Sequence, residues 1–100
     1  MNENEYTGQA IGMFELDGLL ACYVALDAAA KAANVTIQGV ERNRLKSGAC
    51  VKLRGRVEDV RAAIEAALAA GQQVGKVTAW NVIPAPDAGI ERGIAMTIGR

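Results

Sequence analysis

The chain has 100 residues, and its 11 basic and 11 acidic residues give a formal net charge of zero. This is the length of one domain, and the balanced charge argues against a nucleic-acid partner held by overall charge. Because the sequence has no histidine, it lacks the commonest general base and the commonest metal ligand, so we expect no enzymatic activity, no metal and no cofactor.

The first quarter of the chain predicts a strand followed by a long helix. Residues 9–15 form an apolar run that ends at an Asp-Gly turn, and Gly12 within it indicates a close packing contact. Residues 19–34 are rich in alanine and leucine and predict a helix, with Asp27 and Lys31 spaced four apart in the favourable order. Since this helix is apolar around most of its girth, we expect another subunit to cover one of its sides.

The middle of the chain predicts two strands joined by a cationic loop. Residues 35–41 alternate between apolar and polar side chains, which is typical of a strand. Residues 42–48 are polar and basic and form the loop. Residues 49–54 alternate strictly and predict a third strand with one face on the core. Its other face, which we expect to be partly exposed, carries Cys50, Lys52 and Arg54.

The last part of the chain predicts a second helix, a fourth strand and a short terminal helix. Glu58 and Asp59 suit the positive end of a helix dipole. An amphipathic stripe follows, formed by Val60, Ile64, Ala67 and Leu68. Residues 76–83 predict the fourth strand, and Asp87 is placed to cap a helix that runs to Arg92.

The element order βαββαβ predicts an α+β, ferredoxin-like fold. We expect a four-stranded antiparallel sheet with two helices on one face and a short C-terminal helix. The domain is predicted to span residues 9–92, between an N-terminal tail, 1–8, and a C-terminal tail, 93–100.

The cysteines and the apolar runs predict a soluble cytosolic protein. Cys22 and Cys50 do not form a Cys-x-x-Cys pair, which is typical of reduced thiols. Residues 1–5 are polar and acidic, unlike a signal peptide. The longest weakly polar run, residues 19–30, is too short to cross a bilayer. We therefore expect no membrane partner.

Candidate catalytic groups lack the neighbours that their chemistry requires. Nucleophilic catalysis by Ser47 or Cys50 needs an activating base, and no histidine is present. A Lys46–Ser47 dyad is disfavoured, because adjacent residues in a tight turn usually point apart. Cys50 is either a reactive or cluster-binding thiol or, far more commonly, a small residue on a half-exposed strand. A ferredoxin-like regulatory module that binds a small molecule is the alternative from another functional class.

Four segments in register carry a family resemblance. They are residues 10–15, 25–35, 54–55 and 82–86. With these segments the sequence resembles the bacterial microcompartment shell proteins, of the hexamer-forming type with a single BMC domain. The resemblance implies a cyclic homohexamer in the bacterial cytoplasm that tiles with other shell proteins into a sheet around encapsulated enzymes.

The resemblance also implies two sets of site residues. The loop between strands two and three would line a central pore for small metabolites, through Arg44, Leu45, Lys46, Ser47 and Gly48. Contacts at the hexamer edge would come from Lys31, Asn34 and Ala85. The alternative for Lys31 is a solvated helix lysine that is paired with Asp27. The alternative for the loop is a solvated turn.

The sequence departs from the family pattern at both sites. Lys46-Ser47-Gly48 stands where the family has Gly-Ser-Gly, and the segment around it is one residue longer. Ala85 replaces an edge arginine. Six-fold symmetry would turn Arg44 and Lys46 into cationic rings that favour anions. A further alternative keeps the shell fold and places an iron–sulfur cluster at the axis, with Cys50 as ligand.

Overall fold

The computed structural model describes residues 5–43 and 47–98, and these form one antiparallel sheet with three helices. The strands are β1 (Ala10–Leu16), β2 (Thr36–Arg42), β3 (Ala49–Gly55) and β4 (Val77–Ile83), in the order β2-β3-β1-β4. The helices are α1 (Leu19–Ala32), α2 (Val57–Gly71) and α3 (Ala88–Thr97). The predicted βαββαβ order with a terminal helix is confirmed. None of the helices in these two ranges is long and apolar enough to cross a membrane.

Small side chains allow α1 and α2 to pack closely on one face of the sheet. A Cβ placed on Gly12 would lie 2.6 Å from Cγ1 of Val60, so the close approach predicted at this glycine is confirmed. A Cβ on Gly71 would lie 3.0 Å from Cβ of Ala25, which shows how tightly the two helices meet. Between helices and sheet the core is filled chiefly by Phe14, Leu16, Val51, Leu53, Val60 and Ile64.

The other face of β3 is covered, and the expectation that its polar residues would be partly exposed is wrong for two of them. Arg54 is fully buried and Lys52 is 8% exposed, whereas Cys50 is half-buried as expected. Lys52 pairs with Glu41 of the neighbouring strand β2, and Arg54 is covered by α3 and by the turn before β1. Both segments are distant from β3 in the sequence, which is why its alternation alone predicted a half-exposed face.

Arg54 joins the segments that cover this face. Its guanidinium forms a two-pronged ion pair with Glu91 of α3, with Nη1 3.0 Å from Oε1 and Nη2 bonded to Oε2. Nη2 also donates to the carbonyl oxygens of Tyr6 and Gln9, at 3.3 Å each. The Tyr6 ring centroid lies 5.0 Å from the guanidinium carbon, a cation–π distance. One buried side chain therefore holds both terminal segments against the sheet.

The third helix begins as predicted and ends later than predicted. The Asp87 side chain accepts a hydrogen bond of 2.9 Å from the backbone N–H of Gly89, so the predicted cap is confirmed. The helix was expected to end at Arg92 but continues to Thr97, so the proposed tail of residues 93–100 begins within it. Residues 1–4 and 99–100 of the two predicted tails lie outside the described residues.

The sheet has two distinct ends, to which the site residues belong. The loop end is defined by Leu16, Ala49 and Val77, which pair with one another across β1, β3 and β4. The far end is defined by Ala10, Gly55 and Ile83. Helix α1 starts at the loop end and runs to the far end, and α2 runs back in the opposite direction.

Candidate functional site

Gly48 fixes the path of the chain where the cationic loop enters β3. Its φ is +97°, in the left-handed region that favours glycine. A Cβ at this position would overlap the carbonyl oxygen of Leu16. The backbone N–H of Asn43 donates to the Gly48 carbonyl oxygen at 3.0 Å, which closes the base of the loop. Gly48 therefore fixes how the chain enters β3 at the loop end.

Ser47 is tied to the turn between β1 and α1. Its hydroxyl donates to Oδ1 of Asp17, and the backbone N–H of Asp17 donates to the Lys76 carbonyl oxygen at 2.8 Å. Asp17 thus links the loop to the start of β4. Sequence reasoning assigned Asp17 only to a turn, and the Asp-Gly signal at that position did not reveal its partner across the sheet.

These residues surround an open cleft of about 440 Å³ at the loop end. Among the described residues, its ionisable side chains are Glu15, Asp17 and Lys76. The remaining lining residues are Leu16, Asn43, Ser47, Ala49 and Thr78. Glu15, Lys76 and Thr78 were not predicted as neighbours of the loop, because only the pairing of β1 with β3 and β4 brings them together.

Of the five predicted pore residues, two are located. Ser47 and Gly48 lie at the loop end as described above. Arg44, Leu45 and Lys46 lie outside the described residues. The predicted cationic rings therefore stay a prediction.

Cys50 lies on the covered face of β3, one residue from the loop end. The Lys52 ammonium lies 3.7 Å from its sulfur and is itself paired with Glu41. Burial raises the pKa of the Cys50 thiol, and this outweighs the opposing effect of the Lys52 charge. The setting favours the neutral thiol over the thiolate that ligates iron. Within residues 5–43 and 47–98, no cluster of three or more acidic, cysteine or histidine side chains is arranged to hold a metal ion.

Each of the predicted edge residues belongs to a segment at the far end. Lys31 forms an exposed ion pair with Asp27, at 2.8 Å, in the last turn of α1. The carbonyl oxygen of Asn34 lies against Gly55, 3.1 Å from where a Cβ would stand. Ala85 follows two residues after Ile83, the last residue of β4.

The length of α1 separates the two sets of residues. Its 14 residues correspond to about 21 Å at 1.5 Å per residue. Asp17, which holds Ser47, precedes this helix, and Lys31 lies in its last turn. Ser47 and Gly48 therefore lie at the opposite end of the molecule from Lys31.

Comparisons with known proteins agree on one family. The family model of the BMC domain matches residues 10–86. The bacterial microcompartment shell protein PduA of Citrobacter freundii is 44% identical over 85 residues, which cover 84% of this chain and 89% of that protein. The shell protein EutM of Escherichia coli (strain K12) is 39% identical over 84 residues, covering 83% and 84% of the two chains.

A solved structure shows the same fold. It is the crystal structure of a microcompartment protein from Desulfitobacterium hafniense DCB, with a TM-score of 0.76 and 20% identity. The match covers 92% of this chain and 49% of that one, so the present chain spans about half the length of the solved protein.

Proposed function

The chain belongs to the BMC-domain family of bacterial microcompartment shell proteins, and from that premise we propose that it is a structural subunit which forms cyclic homohexamers. The hexamer takes its place in a microcompartment shell in the bacterial cytoplasm. There it contacts other shell proteins at its edges and encloses enzymes without being one.

The observation that supports this proposal is that Ser47 and Gly48 lie at one end of α1 and Lys31 lies at the other. A ring needs one end of each subunit near the symmetry axis and the other at the perimeter. With the loop end at the axis, Ser47 and Gly48 of six copies surround a central opening. The far end then presents Lys31, Asn34 and Ala85 to the neighbouring hexamer.

The composition of the loop indicates what the opening passes. Six copies of Lys46 and of Arg44 around the axis create a positive potential that favours anions and disfavours cations. The Ser47 hydroxyl is already engaged by Asp17, so this carboxylate holds the serine in place instead of leaving it to rotate freely. Small anionic or polar metabolites are the species that fit such an opening.

The edge departs from the family pattern, and this bears on tiling. Lys31 is exposed and its ammonium is paired with Asp27 of its own helix, so it remains available for contacts across the boundary. Ala85 offers no charge where the family has an arginine. We therefore expect sheets held chiefly by the contacts of Lys31, in company with other shell proteins.

Mass and assembly test the proposal directly. Light scattering after size exclusion should give about six times the 10.5 kDa of one chain, and electron microscopy should show flat sheets. A homogeneous monomer at micromolar concentration would contradict the proposal.

The variant Lys31→Ala distinguishes assembly of the hexamer from assembly of hexamers into a sheet. We expect this variant to keep the hexamer mass and to lose extended sheets, because it removes an edge cation and leaves the loop end intact. Lys76→Ala, which removes an exposed cation at the loop end, is the matched control and should still form sheets. Sheets of normal size from Lys31→Ala would contradict the edge assignment.

A further inference from the structure

A pair of nucleophilic side chains lies on the covered face of β3, and the proposed function uses neither of them. Cys50 and Lys52 are two residues apart in the strand, so their side chains project from the same face of the sheet. Nζ of Lys52 lies 3.7 Å from Sγ of Cys50. Because the strand fixes both backbones and the lysine stem is flexible, rotation of that stem brings the nitrogen into bonding contact with the sulfur.

Glu41 of the neighbouring strand holds the Lys52 side chain in this position. In the pairing of β2 with β3, Glu41 lies directly opposite Cys50. Its Oε1 accepts a hydrogen bond from the Lys52 ammonium, and Lys52 is only 8% exposed. The carboxylate is therefore placed to take a proton from the ammonium, which leaves a nucleophilic amine beside the sulfur.

A cavity beside Cys50 gives small molecules access to its sulfur. It lies on the face of the sheet opposite α1 and α2, and Met13, Glu15, Ala79 and Asn81 are among its other lining residues. Its volume of about 200 Å³ is several times the roughly 30 Å³ that one water molecule occupies in the liquid. The cavity therefore admits a molecule as small as a hydroperoxide.

The other cysteine of the chain is not placed to react with Cys50. Cys22 is fully buried in α1, where its sulfur contacts the carbonyl oxygens of Leu16 and Ala49. The Cys22 side chain thus reaches the sheet from the helix side, whereas Cys50 projects from the opposite side. Two cysteines whose side chains point apart cannot form a disulfide without movement of the backbone. The nucleophile in contact with Cys50 is the Lys52 nitrogen.

We propose that Cys50 and Lys52 are the site of a reversible oxidative cross-link, a sulfenamide bond between Sγ and Nζ that forms when a hydroperoxide oxidises the thiol. Cysteine sulfenic acids condense with a backbone nitrogen in the same way, and an amine is a stronger nucleophile than an amide. The bond removes the charge of Lys52 and protects the sulfur from irreversible oxidation to the sulfinic acid. This inference concerns the single chain and does not depend on the hexamer.

Two steps form the bond, and their atoms and electrons balance. In the first, the Cys50 sulfur attacks one oxygen of hydrogen peroxide, the O–O bond breaks, and a sulfenic acid and water result. The sulfur loses two electrons and the peroxide gains them. In the second, Glu41 takes a proton from the Lys52 ammonium, the nitrogen attacks the sulfur, and the S–O bond breaks. The departing hydroxide leaves as water with a further proton from the nitrogen. One thiol, one amine and one peroxide thus give one S–N bond and two water molecules.

The charges around the thiol set the conditions for the first step. Burial raises the pKa of the Cys50 thiol, the Lys52 charge opposes this, and Glu15 and Glu41 add to it. Because the thiolate is the reactive form, we expect oxidation to be slow at neutral pH and faster in mildly alkaline solution.

Trypsin digestion and mass spectrometry test the cross-link after treatment with hydrogen peroxide in mildly alkaline solution. Trypsin cleaves after lysine only when the side chain is a free cation. The linked chain should therefore give an uncut peptide of residues 47–54, with a mass two hydrogen atoms below that of its sequence. Dithiothreitol should restore cleavage at Lys52. Lys52→Arg should lose the link completely and add oxygen to Cys50, whereas Lys76→Arg is the matched control and should keep the link.

Three results would overturn the inference, and none of them bears on the hexamer. They are a Cys50 that gains only oxygen or stays unmodified, a Cys50 disulfide between two chains, and a loss of two hydrogens that persists in Lys52→Arg. If Lys52→Arg does not fold, the fragment spectrum of the wild-type peptide decides, because it locates the missing hydrogens at Cys50 and Lys52 or elsewhere. Cys22 is the internal control in the same digest, and its thiol should remain free.

Discussion

At the scale of single residues, Gly48 is the position where backbone conformation and packing impose the same requirement. Its positive φ disfavours every L side chain, and the Leu16 carbonyl oxygen occupies the place of a Cβ. Gly8 has a similar φ of +85° but no atom within 4 Å of a Cβ. Comparison of Gly48 with Gly8 therefore distinguishes the cost of steric overlap from the cost of conformational strain.

We predict that Gly48→Ala lowers the free energy of unfolding by at least about 3 kcal/mol, since it combines strain with overlap against the backbone. Gly8→Ala should cost about 1 kcal/mol, from strain alone. Urea denaturation followed by circular dichroism measures both values. Equal losses in the two variants would show that the Leu16 contact is not restrictive.

Burial of Cys50 makes the free energy of unfolding depend on pH, and the direction of the change follows from that burial. Because the pKa of its thiol is raised in the folded chain, the folded state keeps the proton longer than the unfolded state does. The stabilisation is complete below the ordinary thiol pKa of about 8.5 and is lost as pH rises through the folded value. We predict that Cys50→Ser reduces the decline of the unfolding free energy above pH 8.5. An unchanged decline in Cys50→Ser would contradict the assignment.

At the scale of elements, Arg54 connects β3 with the segments at both ends of the domain. Its side chain is fully buried and that of Glu91 is 12% exposed, so their charges interact with little solvent screening. The same guanidinium holds the carbonyl oxygens of Tyr6 and Gln9. Release of α3 should therefore loosen the N-terminal segment through this shared guanidinium.

We predict that Glu91→Ala destabilises the fold by about 3 kcal/mol, because it leaves a buried cation without its partner. Hydrogen exchange should become faster in α3 and also in residues 5–9, which the substitution does not touch. Arg92→Ala, at the next and exposed position of the same helix, is the control and should change neither region. Faster exchange confined to α3 would refute the coupling.

The helices and strands could be predicted from local sequence pattern. Which of their faces are buried by segments distant in the sequence could not. The apolar alternation of β3 and the stripe of α2 correctly placed Val51, Leu53, Val60 and Ile64 in the core. The same alternation left Arg54 half-exposed, because Glu91 and Tyr6 are 37 and 48 residues away. At the site, the loop was found from its composition, but its partner Asp17 depends on the pairing of strands that local sequence does not report.

At the scale of the whole molecule, the core contains too few large side chains to stabilise an isolated subunit strongly. Seven of the sixteen buried apolar residues in the described chain are alanines, and alanine buries little area. Meanwhile three large apolar side chains remain about half exposed: Tyr23 of α1, Ile37 of β2 and Trp80 of β4. Association therefore buries apolar area that folding alone leaves in water.

We predict that thermal stability depends on protein concentration, because assembly stabilises only the folded chain. A tenfold dilution in the range where the ring dissociates should lower Tm by roughly 5 °C for a domain of this size. Differential scanning fluorimetry over two decades of concentration measures the effect. Lys31→Ala should show the same dependence, because the edge does not hold the ring together. A Tm that stays constant while light scattering records dissociation would mean that the subunit is stable alone. Burial of Tyr23, Ile37 and Trp80 by assembly would then not stabilise the folded chain.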